Sequence, residues 1–225
     1  MTFDLHIHSK YSLDSISEVR DIIATAKRRG LNGIAITDHN TIKGAVEAKM
    51  INTDKDFVVI IGAEIATEIG DIIGLFLKEE ITARNFAGVI EEIHRQGGIA
   101  VLPHPYKGHK LDDSVLEKID VIEVFNSRQS EDGNRKAMKL AERYKKPMVA
   151  GSDAHFLSEI GAGRVIINSP DIRNEILNGK VELITNYTPS YGEFFSQVIK
   201  FIKSGEYVKI FRLFPGFMMR AFRRG

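Results

Sequence analysis

The stretch "DLHIHSKYSLDS", residues 4–15, places two histidines one residue apart near the beginning of the chain. The composition of residues 2–7 suggests an extended β-strand, and side chains at positions i and i+2 of a strand point to the same face. His6 and His8 would therefore project side by side. Two imidazoles on one face can chelate a metal ion, but an isolated His-x-His pair is also compatible with a structural role. Other residues of the chain are needed to distinguish these two interpretations.

Short apolar runs alternate with helical patterns as far as about residue 185, which is typical of βα units around a mostly parallel sheet. The candidate strands are 2–7, 33–37, 57–61, 71–77, 98–102, 121–125, 147–150 and 164–167. A standard eight-fold barrel takes about 250 residues, so this arrangement is more compact. The pattern predicts an α/β fold built as a small or distorted TIM-like barrel.

The composition excludes several classes of protein. The formal net charge of +1 over 225 residues gives no global reason to expect a nucleic-acid or membrane partner. The chain has no cysteine, which excludes disulfides, thiolate ligands and cysteine nucleophiles. The N-terminal residues do not have the pattern of a signal peptide, and no run of about 18 apolar residues occurs, so we expect a cytoplasmic protein.

Residue types that bind metals follow five of the predicted strands. In chain order they are His6, His8 and Asp14, then Asp38 and His39, then Glu64, then His104, and finally Asp153 and His155. In parallel α/β folds the loops at the carboxyl ends of the strands converge on one face. Five of the seven histidines lie in these segments, which favours one metal centre with several ions over separate structural histidines.

In order and spacing, the segments "DLHIHSKYSLDS", "ITDHN", "GAEI", "LPHP" and "GSDAH" resemble the PHP (polymerase and histidinol phosphatase) family. The resemblance covers about residues 2–190, most of the chain. It implies a distorted (β/α)7 barrel with a trinuclear metal centre that hydrolyses phosphate esters. A metal-dependent phosphoesterase domain over residues 1–190 is therefore expected, followed by a helical extension over residues 191–225.

The resemblance also implies which side chains bind the three ions. One ion is implied to take His6, His8, Glu64 and Asp153; a second to share Glu64 and take His104; and a third to take Asp14, His39 and His155. Between "LPHP" and "GSDAH" the chain offers one histidine, His109, which lies too near His104 to match the family clearly. The remaining ligands of the second ion are left open between Asn126 and water.

We expect hydrolysis of a small phosphomonoester, such as a nucleotide or a phosphorylated metabolite, with histidinol phosphate among the candidates. The expected mechanism is attack by a metal-bridging hydroxide at a site with two or three divalent ions, Zn, Mn or Fe in preference to Mg. Three ligands, Glu64, Asp153 and His155, are predicted to be catalytic. Glu64 would hold two ions together, and His155 or the third ion would stabilise or protonate the leaving alkoxide.

Four other residues follow the carboxyl ends of predicted strands, on the same face as the metal-binding residue types. They are candidates for substrate binding, namely Arg128, Asn126, Lys107 and His109. Arg128 could clamp a phosphate with two hydrogen bonds, although a solvated loop cation is the simpler interpretation. Asp4 and Asp38 flank predicted ligands, and we expect them to orient an imidazole by accepting its second N–H.

Residues 191–225, which we call the tail, are rich in phenylalanine. From residue 200 onward the tail carries seven Lys or Arg residues and one Glu. We expect short amphipathic helices there, packed on the barrel or across a homo-oligomer. Contact with an anionic membrane surface or with nucleic acid is the alternative for such a segment.

Two other functions remain open at this point. A 3′–5′ exonuclease-type phosphodiesterase would need a basic track for its strand, whereas the chain outside the tail is mildly acidic. A non-catalytic metal-binding module would be favoured by the loss of an acidic ligand, but Asp14, Glu64 and Asp153 are all present.

Overall fold

The computed structural model describes residues 1–210 and residue 213. In that part of the chain the strands are β1 (Thr2–Ile7), β2 (Gly33–Ile36), β3 (Val58–Thr67), β4 (Gly70–Leu75), β5 (Ile99–Leu102), β6 (Val121–Asn126), β7 (Met148–Gly151), β8 (Gly163–Ile166) and β9 (Glu182–Thr185). The helices are α1 (Val19–Arg28), α2 (Lys43–Ile51), α3 (Phe86–Arg95), α4 (Asp113–Lys118), α5 (Glu131–Tyr144), α6 (Ile172–Leu177) and α7 (Tyr191–Lys203).

The strands form one curved sheet in the order β7-β6-β5-β4-β3-β2-β1-β8-β9. The segment that follows β7 returns to the end of β1, where the N–H of His8 donates to the carbonyl oxygen of Ala154 at 2.8 Å. The N–H of Ala154 in turn donates to the carbonyl oxygen of His6 at 3.3 Å. The wall from β1 to β7 is therefore a nearly closed barrel, and the predicted fold class, an α/β distorted barrel, is confirmed.

Two features distort the barrel. Strand β4 is antiparallel to both β3 and β5, so β3 and β4 form a hairpin instead of a βαβ unit. Strand β8 pairs antiparallel with the first half of β1, through Thr2 and Phe3, and leaves the second half of β1 to close the barrel. Strand β9 then extends the sheet beyond β8.

The hairpin and the last strand differ from the sequence prediction. Strand β3 continues to Thr67, beyond the predicted end at residue 61, because residues 62–67 pair with β4. Strand β9 was not predicted, since it is short and its side chains are half-buried or exposed, which leaves little hydrophobic pattern to recognise.

Helices cover the sheet through apolar stripes spaced by three and four residues. On α1, Val19, Ile22 and Ala26 pack in one buried cluster with Ile34 and Ile36 of β2. A stripe on α3 packs in a second cluster with side chains of β3, β4 and β5. No helix within residues 1–210 and 213 has the length and apolar character that crossing a membrane requires.

Helix α7 lies against the loops of the barrel. The hydroxyl of Ser196 accepts a hydrogen bond from Nη2 of Arg128 at 2.8 Å. At the end of the helix, the ammonium of Lys203 donates to the carbonyl oxygens of Lys10, Ser12 and Ser15, at 2.8, 2.8 and 2.7 Å. All three N–H donors of this ammonium are therefore directed at the loop after β1.

Much of the predicted tail, residues 211, 212 and 214–225, lies outside the described residues. The contacts predicted for the tail with a second copy of the chain, a membrane surface or nucleic acid therefore stay predictions.

We expect Lys203→Met to lower the free energy of unfolding by about 1 kcal/mol, because three carbonyl oxygens lose a charged donor. Urea denaturation of the metal-free protein measures this change. Lys200→Met, at an exposed position on the same helix, is the matched control. Equal stability of the two variants would contradict the expectation.

Candidate metal centre

The structure brings all eight predicted ligands to one end of the barrel. Most come from the carboxyl end of a strand or from the loop after it, as expected for a parallel α/β barrel. Glu64 is the exception, because it lies within β3 and not at the end of a strand. It belongs to the part of β3 that forms the hairpin with β4. Seven of the eight side chains are buried, and His39 is the partly exposed member, with 29% of its side chain accessible.

The backbone is strained at two of these positions. His104 has φ = 30° and Asp153 has φ = 53°, in the left-handed region that residues with a side chain rarely adopt. Such conformations cost about 1–3 kcal/mol each and concentrate at functional sites. The loops after β5 and β7 therefore carry strain at the residues that the sequence predicts to be ligands.

His6 and His8 project to the same point, as their spacing predicts. Their Nε2 atoms lie 3.1 Å apart. The carboxylate oxygen Oε2 of Glu64 lies 3.5 and 3.3 Å from these two atoms, and Oδ1 of Asp153 lies at the same two distances. Four potential ligand atoms thus surround one point in the protein interior.

Hydrogen bonds on the far side of each ring orient these imidazoles. Nδ1 of His6 donates to Oε1 of Glu123 at 2.9 Å. Nδ1 of His8 donates to the hydroxyl of Ser12 at 3.1 Å, because that hydroxyl uses its own proton on Asp38. In the neutral rings the lone pairs therefore lie on both Nε2 atoms, which face two carboxylates. Such a group of acceptors requires protons or a cation between them, so these residues fit a metal ion.

A second group of ligand atoms adjoins the first. Oδ2 of Asp14 lies 3.2 Å from Nε2 of His39 and 3.3 Å from Nε2 of His155. Nδ1 of His39 lies 3.3 Å from Oε2 of Glu64. The other oxygen of Asp14, Oδ1, is buried and has no hydrogen-bond partner among the described residues. A buried carboxylate oxygen without a donor also fits a cation.

A third group contains Glu64 and His104, with Oε1 of Glu64 at 2.9 Å from Nε2 of His104. Asp71, which was not among the predicted ligands, belongs to the same group. Within each of the groups that could hold an ion, the ligand atoms lie within 4.8 Å of one another. Glu64 takes part in two of these groups and joins them.

The carboxylates and imidazoles of the centre shift each other's pKa. Burial alone would lower the pKa of His8, but hydrogen bonds with Asp153 and Glu64 outweigh it and raise that pKa to about 9. Burial would likewise raise the pKa of Glu64, yet the charge of His6 holds it well below its usual value. Burial lowers the pKa of His155 to about 3, assisted by His8 and Arg128. Without metal, His8 is therefore protonated at neutral pH and His155 is neutral.

Asp4 and Asp38 are buried beside the ligands but do not make the contacts that we expected. Asp4 accepts hydrogen bonds from backbone N–H groups, among them Gly161 at 2.6 Å. Asp38 accepts from the backbone N–H and the hydroxyl of Ser9, and from the hydroxyl of Ser12. These aspartates therefore hold the loops in place, and neither accepts an imidazole N–H among the described residues.

Glu123 makes the contact that was predicted for those aspartates. Besides accepting from His6, its carboxylate accepts from the backbone N–H of His104 at 2.9 Å and from Nδ2 of Asn126 at 3.0 Å. The sequence contained one signal for it, an acidic residue inside the apolar strand "VIEVF". Because Asn126 binds Glu123 in this way, its amide nitrogen is engaged inside the protein.

The three charged or titratable candidates for substrate binding have different surroundings. Arg128 is buried, and its Nη1 binds Nδ1 of His155 and the carbonyl oxygen of Asp153. Lys107 is 43% exposed and lies 3.5 Å from Oδ2 of Asp153. Nε2 of His109 donates to the backbone carbonyl of Asp71 at 2.8 Å. Of the three, Lys107 is the one that both faces solvent and lies beside a predicted ligand.

Comparison with known proteins identifies similar chains. The family model described as PHP domain matches residues 4–208. Two uncharacterized proteins of Methanocaldococcus jannaschii are similar in sequence to this chain. MJ1587 is 44% identical over 141 residues, which are 56% of this chain and 82% of that protein. MJ0417 is 36% identical over 173 residues, which are 72% of this chain and 68% of that protein.

A solved structure shares the fold. It is a two-domain protein from Bacteroides vulgatus that contains a predicted PHP-like metal-dependent phosphoesterase. The two structures superimpose with a TM-score of 0.71 over 83% of this chain, at 17% sequence identity. The chain spans 65% of the length of that protein.

We expect metal binding to the metal-free protein to release protons, because the raised pKa of His8 keeps this ring protonated at neutral pH. The apparent affinity for Mn²⁺ should therefore rise as the pH rises from about 7 toward 9. Calorimetric titration in two buffers with different ionisation enthalpies measures the number of protons released. Equal heats in both buffers and a constant affinity would count against this account of the centre.

We expect Glu123→Gln to weaken metal binding by about 10- to 100-fold, the usual cost of losing a partner that orients a ligand. The glutamine has a single acceptor oxygen, so its NH₂ group must face at least one of the donors that the carboxylate now satisfies. Calorimetry with Mn²⁺ measures the effect, and Glu117→Gln, at an exposed position on α4, is the control. If both variants bind Mn²⁺ as the parent does, Glu123 has no such role.

Proposed function

This chain belongs to the PHP domain family, and from that premise we propose that it is a metal-dependent phosphoesterase that hydrolyses a small phosphomonoester. The observation that carries the proposal is the group of facing acceptors, in which the Nε2 atoms of His6 and His8 lie 3.1 Å apart between two carboxylates. An N/O ligand set of this kind suits first-row divalent ions such as Zn²⁺, Mn²⁺ or Fe²⁺.

Divalent ions bound there would supply Lewis acidity toward the phosphoryl oxygens and a water of lowered pKa as the nucleophile. Uncatalysed hydrolysis of phosphate monoesters is among the slowest reactions known, so charge neutralisation of the dianion is the main requirement. We propose two or three ions, because Glu64 joins two groups of ligand atoms and Asp14 organises another.

The side chains around the centre would divide the remaining tasks. Lys107 is the cation that meets a phosphate arriving from solvent, since 43% of its side chain is exposed and its ammonium lies beside Asp153. Arg128 is buried and bound to His155 and to the backbone of Asp153, so its role would be to orient these two residues. His155, with its pKa lowered to about 3, has no proton to give at neutral pH and is better suited to ligation than to protonating the leaving group.

The charge around the opening favours a small substrate over a nucleic-acid strand. The ammonium of Lys107 lies 3.8 Å from Oε1 of Glu193 as well as 3.5 Å from Asp153, so its positive charge is largely compensated. A polyanionic strand gains affinity by neutralising many phosphates along a basic track. Among the described residues, Lys107 is a single compensated cation, so we favour one phosphate bound at the metal ions over a strand.

Release of inorganic phosphate from a panel of phosphomonoesters tests the proposal, with the purified protein reconstituted separately with Mn²⁺, Zn²⁺ and Mg²⁺. We expect turnover in the parent and a loss of more than about 100-fold in His8→Ala, which removes a ligand. His94→Ala, at an exposed position on α3, is the matched control and should retain full activity.

Absence of phosphate release from a folded, metal-loaded parent would contradict the proposal. Release of nucleotides from single-stranded DNA by that same protein would instead identify an exonuclease. Full activity in His8→Ala would show that the reaction takes place elsewhere on the chain.

A further inference from the structure

The antiparallel hairpin of β3 and β4 brings an additional carboxylate to the metal centre. In this hairpin Glu64 pairs with Ile73, and Ala66 pairs with Asp71. Residues two apart on a strand point to the same face, and directly opposed residues share a face. Asp71 therefore lies on the face of Glu64, as its diagonal neighbour across the hairpin. A regular βα unit would not place a second strand in this position.

The Asp71 carboxylate lies among ligand atoms. One of its oxygens, a carboxylate oxygen of Glu64 and a ring nitrogen of His104 are all within 4.8 Å of one another. His104 is buried, and its Nδ1 has no hydrogen-bond partner among the described residues. Within residues 1–210 and 213, the carboxylate of Asp71 accepts no hydrogen bond, although it is half-buried and faces the carboxylate of Glu64.

Two carboxylates that face each other repel, and the Asp71 carboxylate has no donor of its own among the described residues, so a shared cation would remove the repulsion. We propose that Asp71 is a metal ligand, and that it binds together with Glu64 and His104 the ion on the hairpin side of the centre. This assignment rests on the proposed function, since it places Asp71 in the same centre. Two carboxylates and one imidazole form an N/O set that suits Mn²⁺, Zn²⁺ or Fe²⁺.

The loop after β5 fixes the backbone of Asp71. Nε2 of His109 donates to the carbonyl oxygen of Asp71 at 2.8 Å. The His109 ring also packs on Gly70, where φ is +126° and a β-carbon would come within 2.4 Å of the ring. His104 and His109 thus lie on one loop, one beside Glu64 and the other holding the start of β4. His109, which was predicted to bind substrate, would instead position Asp71.

The test compares the stoichiometry and affinity of Mn²⁺ binding in the parent, in Asp71→Asn and in Asp56→Asn. Asparagine keeps the shape of the side chain and removes the charge. Asp56 is exposed in the connection between α2 and β3 and serves as the matched control. We expect Asp71→Asn to weaken one class of Mn²⁺ site by at least about tenfold and to leave the others unchanged.

His104→Ala identifies which ion is affected. It should weaken the same class of site, and the double variant Asp71→Asn/His104→Ala should show little loss beyond either single variant, since both side chains bind one ion. A crystal structure of the Mn²⁺-loaded parent gives a second readout that no variant can confound by misfolding. Asp71 should lie there within bonding distance of the ion.

Mn²⁺ binding by Asp71→Asn equal to that of Asp56→Asn, or an Asp71 carboxylate away from every ion in the crystal, overturns this proposal and leaves the proposed function intact. A parent that binds no divalent ion overturns the proposed function and, with it, the role of Asp71. Additive losses in the double variant would place Asp71 at a different ion from His104, contrary to the proposal.

Discussion

The structure depends on one electrostatic constraint, the convergence of lone pairs in a buried space. The Nε2 atoms of His6 and His8 meet at 3.1 Å, and carboxylate oxygens of Glu64 and Asp153 face them at 3.3–3.5 Å. Buried acceptors without donors are costly, and burial of a charge costs more still unless a partner compensates it. Protons can compensate when metal is absent, which is consistent with the raised pKa of His8. Divalent ions compensate more completely, so binding of metal would also stabilise the fold.

The barrel closes at the same place. The hydrogen bonds that join the end of β1 to the segment after β7 involve the backbones of His6, His8 and Ala154, and Ala154 stands between two predicted ligands. The backbone hydrogen bonds that close the sheet therefore also bring these predicted ligands together. The buried aspartates Asp4 and Asp38 reinforce this closure, because their carboxylates satisfy backbone N–H groups of the same loops. Strain at the predicted ligands in the loops after β5 and β7 can persist because these contacts hold the surrounding backbone.

Features that depend on local pattern could be predicted from the sequence, whereas features that depend on pairing over long distances could not. The strand period places His6 and His8 on one face, and the barrel gathers the strand ends, so the candidate ligands could be identified from the sequence. The β3–β4 hairpin could not be distinguished from two strands of a βα series, because the direction of a strand is set by its pairing partner and not by its local pattern. Asp71 was missed for that reason. Glu123 was missed because its partner His6 lies 117 residues away along the chain.

Anomalous diffraction from crystals of the protein loaded with Mn²⁺ or Zn²⁺ shows directly whether these residues bind metal ions. We expect anomalous peaks between His6, His8, Glu64 and Asp153 and at the adjoining ligand groups, with these side chains close to their present positions. An ordered centre with no anomalous peak among these residues, in a crystal whose solution contains a saturating ion, would contradict this expectation. In that case protons alone would compensate the facing acceptors. The chain would then not be a metal-dependent enzyme.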